Sequence, residues 1–435
     1  MSDSPQRLSI VYLHTHDLGR YTQPYGYDIP APHLQELAER GVLFRQAFNV
    51  APTCSPSRSG LVTGRWPHCN GMFGLTNQGW RLNDYSQHIA RFLGRHGYET
   101  ALAGAQHVAG QASAPVSELG YQHMLTAPKE EGGTGLAAAE AAAWFLEQER
   151  DRPFFLSVGF GEPHRHNRGD RKTFSTRYPA EPADIDDRYC QPMPHMPDNP
   201  ITRREMANFR MGVEVMDEHF GKVLGALDRA GLADSTLVIC TTDHGPGCPD
   251  MKCTLTDRGT GVMLVLAGPG AFSGGRVVDA MVSHLDIYPT VCDSIGLERP
   301  EWLQGQSLTP LLRGAQQTLH DCIFTEHNYH GEYRPMRAAR TERWKYIRRF
   351  KTDVGVGVDG GPVDEMLRSY GWAERPLPEE ELHDLVFDPH EAANVISDPA
   401  CANVATDMRE RLQRWMEETD DPLLRDAVPA PPAQT

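Results

Sequence analysis

The sequence predicts an α/β fold, with a large, mainly parallel sheet flanked by helices and a smaller C-terminal antiparallel sheet plus one helix. Two observations indicate this class. Up to about residue 317, apolar strand-like runs alternate with segments of helical periodicity, which is the pattern of βαβ units. After residue 318, short strand-like runs follow one another without intervening helices. We therefore expect a large α/β domain over residues 1–317, a smaller α+β domain over residues 318–426 and a frayed tail over residues 427–435.

The elements of the first domain follow from its hydrophobic periodicity. Apolar runs predict buried strands, and apolar residues spaced three and four apart predict helices, several of which end at a glycine. Strands are predicted over residues 8–13, 42–48, 100–103, 154–160, 237–241 and 262–266. Helices are predicted over residues 33–40, 88–95, 136–149, 202–230 and 285–295. Strands and helices thus alternate, as expected for a parallel sheet covered on both faces.

The second domain shows a different pattern. Short strands are predicted over residues 322–326, 336–341 and 344–350, and an amphipathic helix over residues 404–416. Strands without intervening helices favour an antiparallel sheet, on which the helix would pack.

Composition restricts the class of protein. The 435 residues include 58 Asp and Glu against 42 Lys and Arg, which gives a formal net charge of −16. This balance argues against a nucleic-acid binder with a basic surface, although a local site can still attract an anion. The N-terminus lacks a signal-peptide pattern, and no apolar stretch reaches the roughly 20 residues of a membrane helix. Because the nine cysteines show no paired spacing, we expect them to be reduced and the protein to be cytoplasmic. From the charge balance and the lack of a long apolar stretch, we expect it to bind neither nucleic acid nor membrane.

Side chains able to bind a metal follow four of the predicted strands. They are His16-Asp17, His107, His164 and Asp243-His244. Ligands bind beyond the carboxyl ends of parallel strands, so we expect these side chains to share one site. Carboxylates suit Ca²⁺, Mg²⁺ or Mn²⁺, and each imidazole shifts the preference toward Mn²⁺ or Zn²⁺. The alternative, in which His16 packs into the edge of the sheet without binding a metal, stays open.

The segment from Cys54 to Arg65, CSPSRSGLVTGR, contains the most specific pattern. Pro56 suits the first turn of a helix, which would place Cys54 at the positive end of that helix, where anions bind. Arg58 and Arg65 add positive charge suited to a tetrahedral oxyanion. The segment therefore indicates a nucleophile beside a metal and an arginine, facing a sulfate-like or phosphate-like group. A buried structural cysteine before an ordinary helix is the alternative.

This segment resembles the signature of type I sulfatases, the formylglycine-dependent enzymes of the alkaline phosphatase superfamily. The order of the other segments is similar to that family too: 34–44, 97–107, Pro163-His164, 242–245 with Lys252, 283–297 and 340–347. The resemblance covers roughly residues 8–420. Residues 70–75 and 106–108 resemble most closely the sulfamidase-like branch, which acts on N-sulfated glucosamine.

The resemblance implies a site and its cofactors. The implied catalytic residues are Cys54, Arg58, His107, His164 and Lys252, and the implied ligands of one divalent metal ion are His16, Asp17, Asp243, His244 and Cys54. The family metal is Ca²⁺, with Mn²⁺ or Zn²⁺ as options because two ligands are imidazoles. Cys54 would be oxidised to formylglycine by a formylglycine-generating enzyme. Its hydrate would attack the sulfur of a small sulfated substrate, a sulfated sugar among the candidates, and a homo-oligomer is a further option.

Two departures from the family pattern keep alternatives open. His16 replaces the first of two family aspartates, and Ala105 replaces a lysine that helps to hold the formylglycine hydrate. A phosphonate or phosphate ester hydrolase of the same superfamily is therefore one alternative, and a non-catalytic metal- or glycan-binding relative is another. Further substrate contacts are expected from His166, His327 and His330, for which solvated loop positions are the competing interpretation.

Overall fold

The computed structural model describes residues 7–110, 114–125, 135–167, 176–177, 185–357, 359–428 and 430–431. Its strands are β1 (Ser9–Thr15), β2 (Val42–Phe48), β3 (Glu99–Gly104), β4 (His123–Met124), β5 (Phe154–Gly159), β6 (His166–Asn167), β7 (Thr176–Arg177), β8 (Thr236–Thr242), β9 (Gly261–Val262), β10 (Leu264–Ala267), β11 (Arg276–Ser283), β12 (Ile323–His330), β13 (Glu332–Arg340), β14 (Trp344–Arg349) and β15 (Glu380–Asp384). Its α-helices are α1 (Pro32–Arg40), α2 (Cys54–Thr63), α3 (Pro67–Asn70), α4 (Ile89–Arg95), α5 (Gly135–Leu146), α6 (Pro200–Arg229), α7 (Asp257–Thr260), α8 (Ile287–Ser294), α9 (Thr309–Leu312), α10 (Pro362–Ser369) and α11 (Ala402–Glu418).

The main sheet is mixed but mostly parallel. Within the described residues it has nine strands in the order β11-β2-β10-β8-β1-β5-β3-β4, with β9 beside β2. Strand β1 lies in the interior, since all seven of its residues are buried, and it pairs in parallel with β5 and β8. Helices α1, α5 and α6 pack on one face, and α2, α4 and α8 pack on the other. The predicted large sheet flanked by helices is confirmed.

The predicted strand over residues 262–266 is divided in the structure. The short β9 pairs antiparallel with β2, whereas β10 lies antiparallel between β8 and β2. Strand β11, which the sequence analysis does not predict, forms the sheet edge beside β2. Its first half alternates between half-buried and exposed residues, so it lacks the continuous apolar run that identifies an interior strand.

The smaller sheet is antiparallel, in the order β12-β13-β14-β15, and α11 packs against it, so this prediction is confirmed. The sequence EELHD of β15 is polar and half-buried, which explains why periodicity does not predict this strand. Val50 and Trp66, which precede and follow α2, pack in the same core as Trp415 of α11. The proposed domain boundaries stay a prediction, and Val428, in the segment expected to fray, is buried. In the described part of the chain, no helix has both the length and the apolar character of a membrane span.

Candidate active site

The carboxyl ends of β1 and β8 bring the two predicted Asp-His pairs together. These strands pair in register up to Thr15 and Thr242, so the residues that follow them are neighbours. The Asp243 carboxylate accepts hydrogen bonds on Oδ1 from the backbone N–H groups of Asp17 (3.0 Å) and His244 (2.9 Å). His16 Nδ1 lies 3.2 Å from the other oxygen, Oδ2. A buried pair of strand ends therefore positions both carboxylates and both imidazoles.

Cys54 reaches the same point from the start of α2. The whole helix is buried, and the Cys54 Sγ atom lies 3.3 Å from His244 Nε2. One ligand atom from each of His16, Asp17, Cys54 and Asp243 can be chosen so that all four lie within 4.8 Å of one another. His244 adjoins them, because its Nε2 is 3.4 Å from Asp17 Oδ1. Four of the five predicted metal ligands thus form one compact group, and the fifth lies against it.

The donors in this group fit a divalent cation. His244 Nδ1 donates to the carbonyl of Gly245 (2.9 Å), which leaves Nε2 as the atom with a free lone pair. The Asp17 Oδ1 atom is buried and has no hydrogen-bond partner among the described residues. A buried carboxylate oxygen without a donor is costly unless a cation or another donor satisfies it. Carboxylates and neutral imidazoles together are suitable ligands for Mn²⁺ or Zn²⁺ as well as Ca²⁺.

Arg58 holds the strand ends from one turn further along α2. Its Nη2 lies 3.0 Å from Asp243 Oδ2 and donates to the Thr15 carbonyl at 2.9 Å, and its Nε donates to the same carboxylate oxygen at 3.2 Å. Burial opposes ionisation of Asp243, but His244, Arg58 and His16 hold the pKa of that carboxyl well below its usual value. Asp243 is therefore ionised at neutral pH, as a metal ligand must be.

Lys252 and His164 lie on the other side of Asp17. The buried Lys252 Nζ is 3.1 Å from Asp17 Oδ2, 2.9 Å from Asp359 Oδ2 and 3.5 Å from His164 Nε2. Burial disfavours the ammonium, but the Asp17 and Asp359 carboxylates raise the pKa of Lys252 well above its usual value. Asp359 is not predicted from the sequence. It lies in the glycine-rich segment 355–361, where neither a strand end nor a motif indicates it.

His107 lies beyond the end of β3 with a φ of +55°, in the left-handed region that residues other than glycine rarely adopt. Its ring centroid is 6.0 Å from that of His16, and both ring nitrogens are buried without a hydrogen-bond partner among the described residues. Burial, together with His16 and Arg58, holds the pKa of His107 well below its usual value. The neighbouring Ala105 is buried and donates its backbone N–H to the Gly159 carbonyl at 3.0 Å. His107 is therefore a neutral imidazole at physiological pH.

The remaining predicted residues have different positions. His330 Nε2 lies 3.7 Å from Asp359 Oδ1, beside the site, and His327 is buried on the same strand. His166 begins β6, but its side chain lies outside the described part of the structure. The expectation that Arg65 contributes charge to the site is wrong: Gly64 ends α2 in the left-handed conformation, the chain turns away, and Arg65 donates to Gln87 at 3.2 Å.

A second buried ionic cluster lies between α3 and the smaller sheet. His68 Nδ1 is 3.0 Å from Glu326 Oε1, and Arg337 lies 3.4 Å from the other oxygen of Glu326. Arg337 also forms a bidentate pair with Asp421, at 2.5 and 3.0 Å. Burial opposes protonation of His68, but Glu326 raises its pKa to about 10. Glu326 lies within β12 and therefore connects α3 with the smaller sheet.

Comparison with known proteins agrees with this geometry. The chain matches the sulfatase family model over residues 9–297 and the model of the C-terminal region of N-sulphoglucosamine sulphohydrolase over residues 251–356. It is 29% identical to human N-sulphoglucosamine sulphohydrolase, covering 91% of this chain and 86% of that protein.

Two solved structures share the fold. One protein, solved with its substrate D-glucosamine-2-N,6-O-disulfate, gives a TM-score of 0.74 at 17% identity, covering 97% of this chain and 99% of that chain. The phosphonate monoester hydrolase of Agrobacterium radiobacter gives 0.70 at 20% identity, covering 95% and 96%. Since the sulfatase family model spans the main sheet and the residues at its carboxyl edge, the chain belongs to the sulfatase family and is a sulfuric ester hydrolase.

Proposed function

We propose that this enzyme hydrolyses the sulfate esters or sulfamates of small molecules, using one divalent cation and a formylglycine derived from Cys54. One observation carries the proposal: Cys54, at the buried start of α2, lies among the ligand atoms of His16, Asp17 and Asp243. A residue placed there can be both a metal ligand and the nucleophile. Similarity to human N-sulphoglucosamine sulphohydrolase over most of both chains supports a sulfamate as the first substrate to test.

The unmodified thiol is poorly suited to this role. Burial raises the pKa of Cys54 well above its usual value, so in the metal-free protein the sulfur is a neutral thiol at physiological pH. The thiolate is the nucleophilic form of cysteine, so a neutral thiol would react slowly. When present, the formylglycine hydrate and the divalent cation supply an oxygen nucleophile and neutralise charge on the sulfate.

The charges of the site indicate the order in which its ligands bind. Three described carboxylates, those of Asp17, Asp243 and Asp359, face the cations of Arg58 and Lys252. His330, 3.7 Å from Asp359, adds a third positive charge, because Cys253 and Asp359 raise its pKa to about 10 against the effect of burial. The charges of these groups therefore balance, and a divalent cation gives the cluster the net positive charge that attracts a sulfate. We accordingly propose that the metal binds first and that sulfate binding depends on it.

The protein side chains then perform the remaining tasks. The Lys252 ammonium is positioned to contact a sulfate oxygen, and Arg58 holds Asp243 in place. His164 donates from Nδ1 to the Arg165 carbonyl, and its Nε2 faces the Lys252 ammonium, so either this ammonium or a doubly protonated His164 gives a proton to the leaving oxygen or nitrogen. The neutral His107 is the base that accepts a proton when the enzyme is regenerated for another turnover.

Two measurements test the proposal. Peptide mass spectrometry of protein co-expressed with a formylglycine-generating enzyme should show formylglycine at position 54. An unmodified Cys54 in protein from the native host would favour the non-catalytic alternative. Values of kcat/KM should then be compared for an N-sulfated glucosamine, an aryl sulfate, an aryl phosphonate and a phosphodiester. A much higher value for either phosphorus compound would refute the sulfatase assignment, because the shared fold alone does not separate these substrates.

A further inference from the structure

Arg334, on β13, is a buried cation for which the described part of the chain supplies no ionic or hydrogen-bonding partner. The residue is 6% exposed, and its Nε and Nη1 atoms are buried without a hydrogen-bond partner among the described residues. By contrast, the buried Arg337 on the same strand forms a bidentate pair with Asp421. A buried guanidinium without an acceptor is expensive, so its presence points to an anion that the free protein lacks.

A second unpartnered atom lies on the neighbouring strand β12. His327, on β12, is 2% exposed; its Nδ1 donates to the Arg334 carbonyl at 2.9 Å, and its Nε2 has no partner among the described residues. Burial and the charge of Arg334 lower the pKa of His327 to about 3, so this imidazole is neutral and Nε2 is a hydrogen-bond acceptor. The pairing of β12 with β13 is irregular between His327 and Tyr329, and such bulges redirect side chains beside active sites.

These two residues adjoin the candidate active site. A Cβ atom added at Gly357 would collide with Arg334 Nη1 and lie 3.1 Å from the Cβ of Cys253, the residue after Lys252. Two residues further along the same segment, Asp359 contacts Lys252 at 2.9 Å and lies 3.7 Å from His330. The side chains of Asp359 and His330 are 16% and 17% exposed, so solvent reaches these two residues beside Lys252.

The acidic residues near Arg334 do not neutralise it. Glu332 is the nearest carboxylate on its own strand; it is exposed, and its Oε2 accepts the backbone N–H of Gly355 at 3.2 Å. The Asp359 carboxylate is held by Lys252 and lies near His330. The guanidinium is therefore left for a ligand.

We propose that Arg334 and His327 form a substrate subsite next to the sulfate site, in which Arg334 binds a second anionic group and His327 Nε2 accepts a hydrogen bond from a hydroxyl or N–H group. A cationic donor and a neutral acceptor on two paired strands match a sugar that carries a carboxylate or a further sulfate beside a hydroxyl. This inference rests on the proposed sulfatase activity and narrows its substrate to small sulfated sugars with at least two anionic groups.

The test compares substrates that differ in the second anion. For the wild-type enzyme, kcat/KM should be measured on a monosulfated sugar, on the same sugar with a second sulfate, and on one with a carboxylate. We expect a preference of about tenfold or more for a doubly anionic substrate, the size of one charge-assisted hydrogen bond. The two doubly anionic substrates show whether the second group is a sulfate or a carboxylate.

Variants then assign the preference to the subsite. Arg334→Met should reduce the ratio of the two kcat/KM values toward one, whereas Arg334→Lys should retain part of it. Arg348→Met on β14 is the matched control and should keep the wild-type ratio, since its guanidinium lies over Phe350, 4.8 Å from the ring centroid. If Arg334→Met does not fold, the ratio for Arg334→Lys decides, since it should still lie below the wild-type value.

The two proposals fail in different ways. Wild-type enzyme that hydrolyses monosulfated substrates with no preference for a second anion would overturn the subsite and leave the sulfatase proposal intact. An equal loss of activity on both substrate types in Arg334→Met would likewise identify Arg334 as a structural residue. Wild-type enzyme that carries formylglycine but hydrolyses none of the sulfated substrates would refute the proposed function itself.

Discussion

Replacing Arg58 is expected to destabilise the metal-free protein more than replacing any other arginine near α2. The Asp243 side chain is completely buried, and its Oδ2 faces two nitrogens of Arg58 at 3.2 and 3.0 Å. Removing one partner of a buried ion pair costs about 3–5 kcal/mol, because the other charge stays in a low-dielectric environment. The Thr15 carbonyl also loses its donor, so Arg58→Met should lose at least this amount.

Arg65→Met is the matched control. Arg65 lies just beyond α2, and its substitution also removes a guanidinium. In place of a buried ion pair, this guanidinium donates a hydrogen bond to the Gln87 side chain. We expect a loss of about 0.5–1.5 kcal/mol. Both variants should be unfolded in urea at 25 °C with a chelator present, so that metal binding does not stabilise the folded state. A loss for Arg58→Met within about 1 kcal/mol of the control, at an unchanged m value, would refute the role of Arg58 in holding the strand ends.

The pH dependence provides a second check on the same pair. In the wild-type protein the pKa of Asp243 is well below its usual value, so its stabilising contribution is complete above the ordinary carboxyl pKa of about 3.9 and is lost as the pH falls through the lower native value. In Arg58→Met the carboxyl can take up a proton at a higher pH, which relieves the unpaired charge. The difference in unfolding free energy between wild type and variant should therefore be larger at pH 7 than at pH 4.

Three further predictions follow from the site and the second ionic cluster. Cys54→Ser should give at most a single turnover in burst kinetics, because a serine ester lacks the second hydroxyl needed to release sulfate, and sustained turnover would contradict the mechanism. Removal of metal by a chelator should abolish the binding of a sulfated inhibitor in calorimetry, since the carboxylates of the site then balance its cations and no net positive charge attracts the sulfate. Glu326 raises the pKa of His68 to about 10 against the effect of burial. The protonated His68 therefore stabilises the folded protein fully below pH 6.5, and this stabilisation is lost as the pH rises toward 10. The stability difference between wild type and His68→Gln should therefore decrease from pH 7 to pH 9, by up to about 1.4 kcal/mol per pH unit in urea unfolding.

Much of the candidate site could be predicted because it lies at strand ends. His16, Asp17 and Asp243 each follow a strand whose apolar character is visible in a short window, and the carboxyl ends of parallel strands meet at one edge. Cys54 and Arg58 are one helical turn apart, so a local pattern also predicts that their side chains lie on the same face of the helix. The order of these elements along the chain was sufficient to predict the cluster before any coordinate was known.

The residues that were not predicted lie where no local pattern exists. Asp359 belongs to a glycine-rich loop and reaches Lys252 from 107 positions away in the sequence. Arg334 is one of several arginines on β13 and β14, and only packing distinguishes the unpartnered Arg334 from Arg337, whose partner is Asp421. Strand β11 was missed for a related reason, because it is half exposed at the edge of the sheet.

By itself, the sequence determined the fold class, the family and the group of side chains around Cys54, because periodicity and motif spacing act over a few residues and parallel strands then align their ends. The tertiary structure decided which charges are paired. It directed Arg65 away from the site, placed Asp359 on Lys252, connected Glu326 to His68 and left Arg334 without a partner. These outcomes depend on how distant segments pack, and the energy of a buried charge depends on its neighbours in space rather than on its neighbours in the chain.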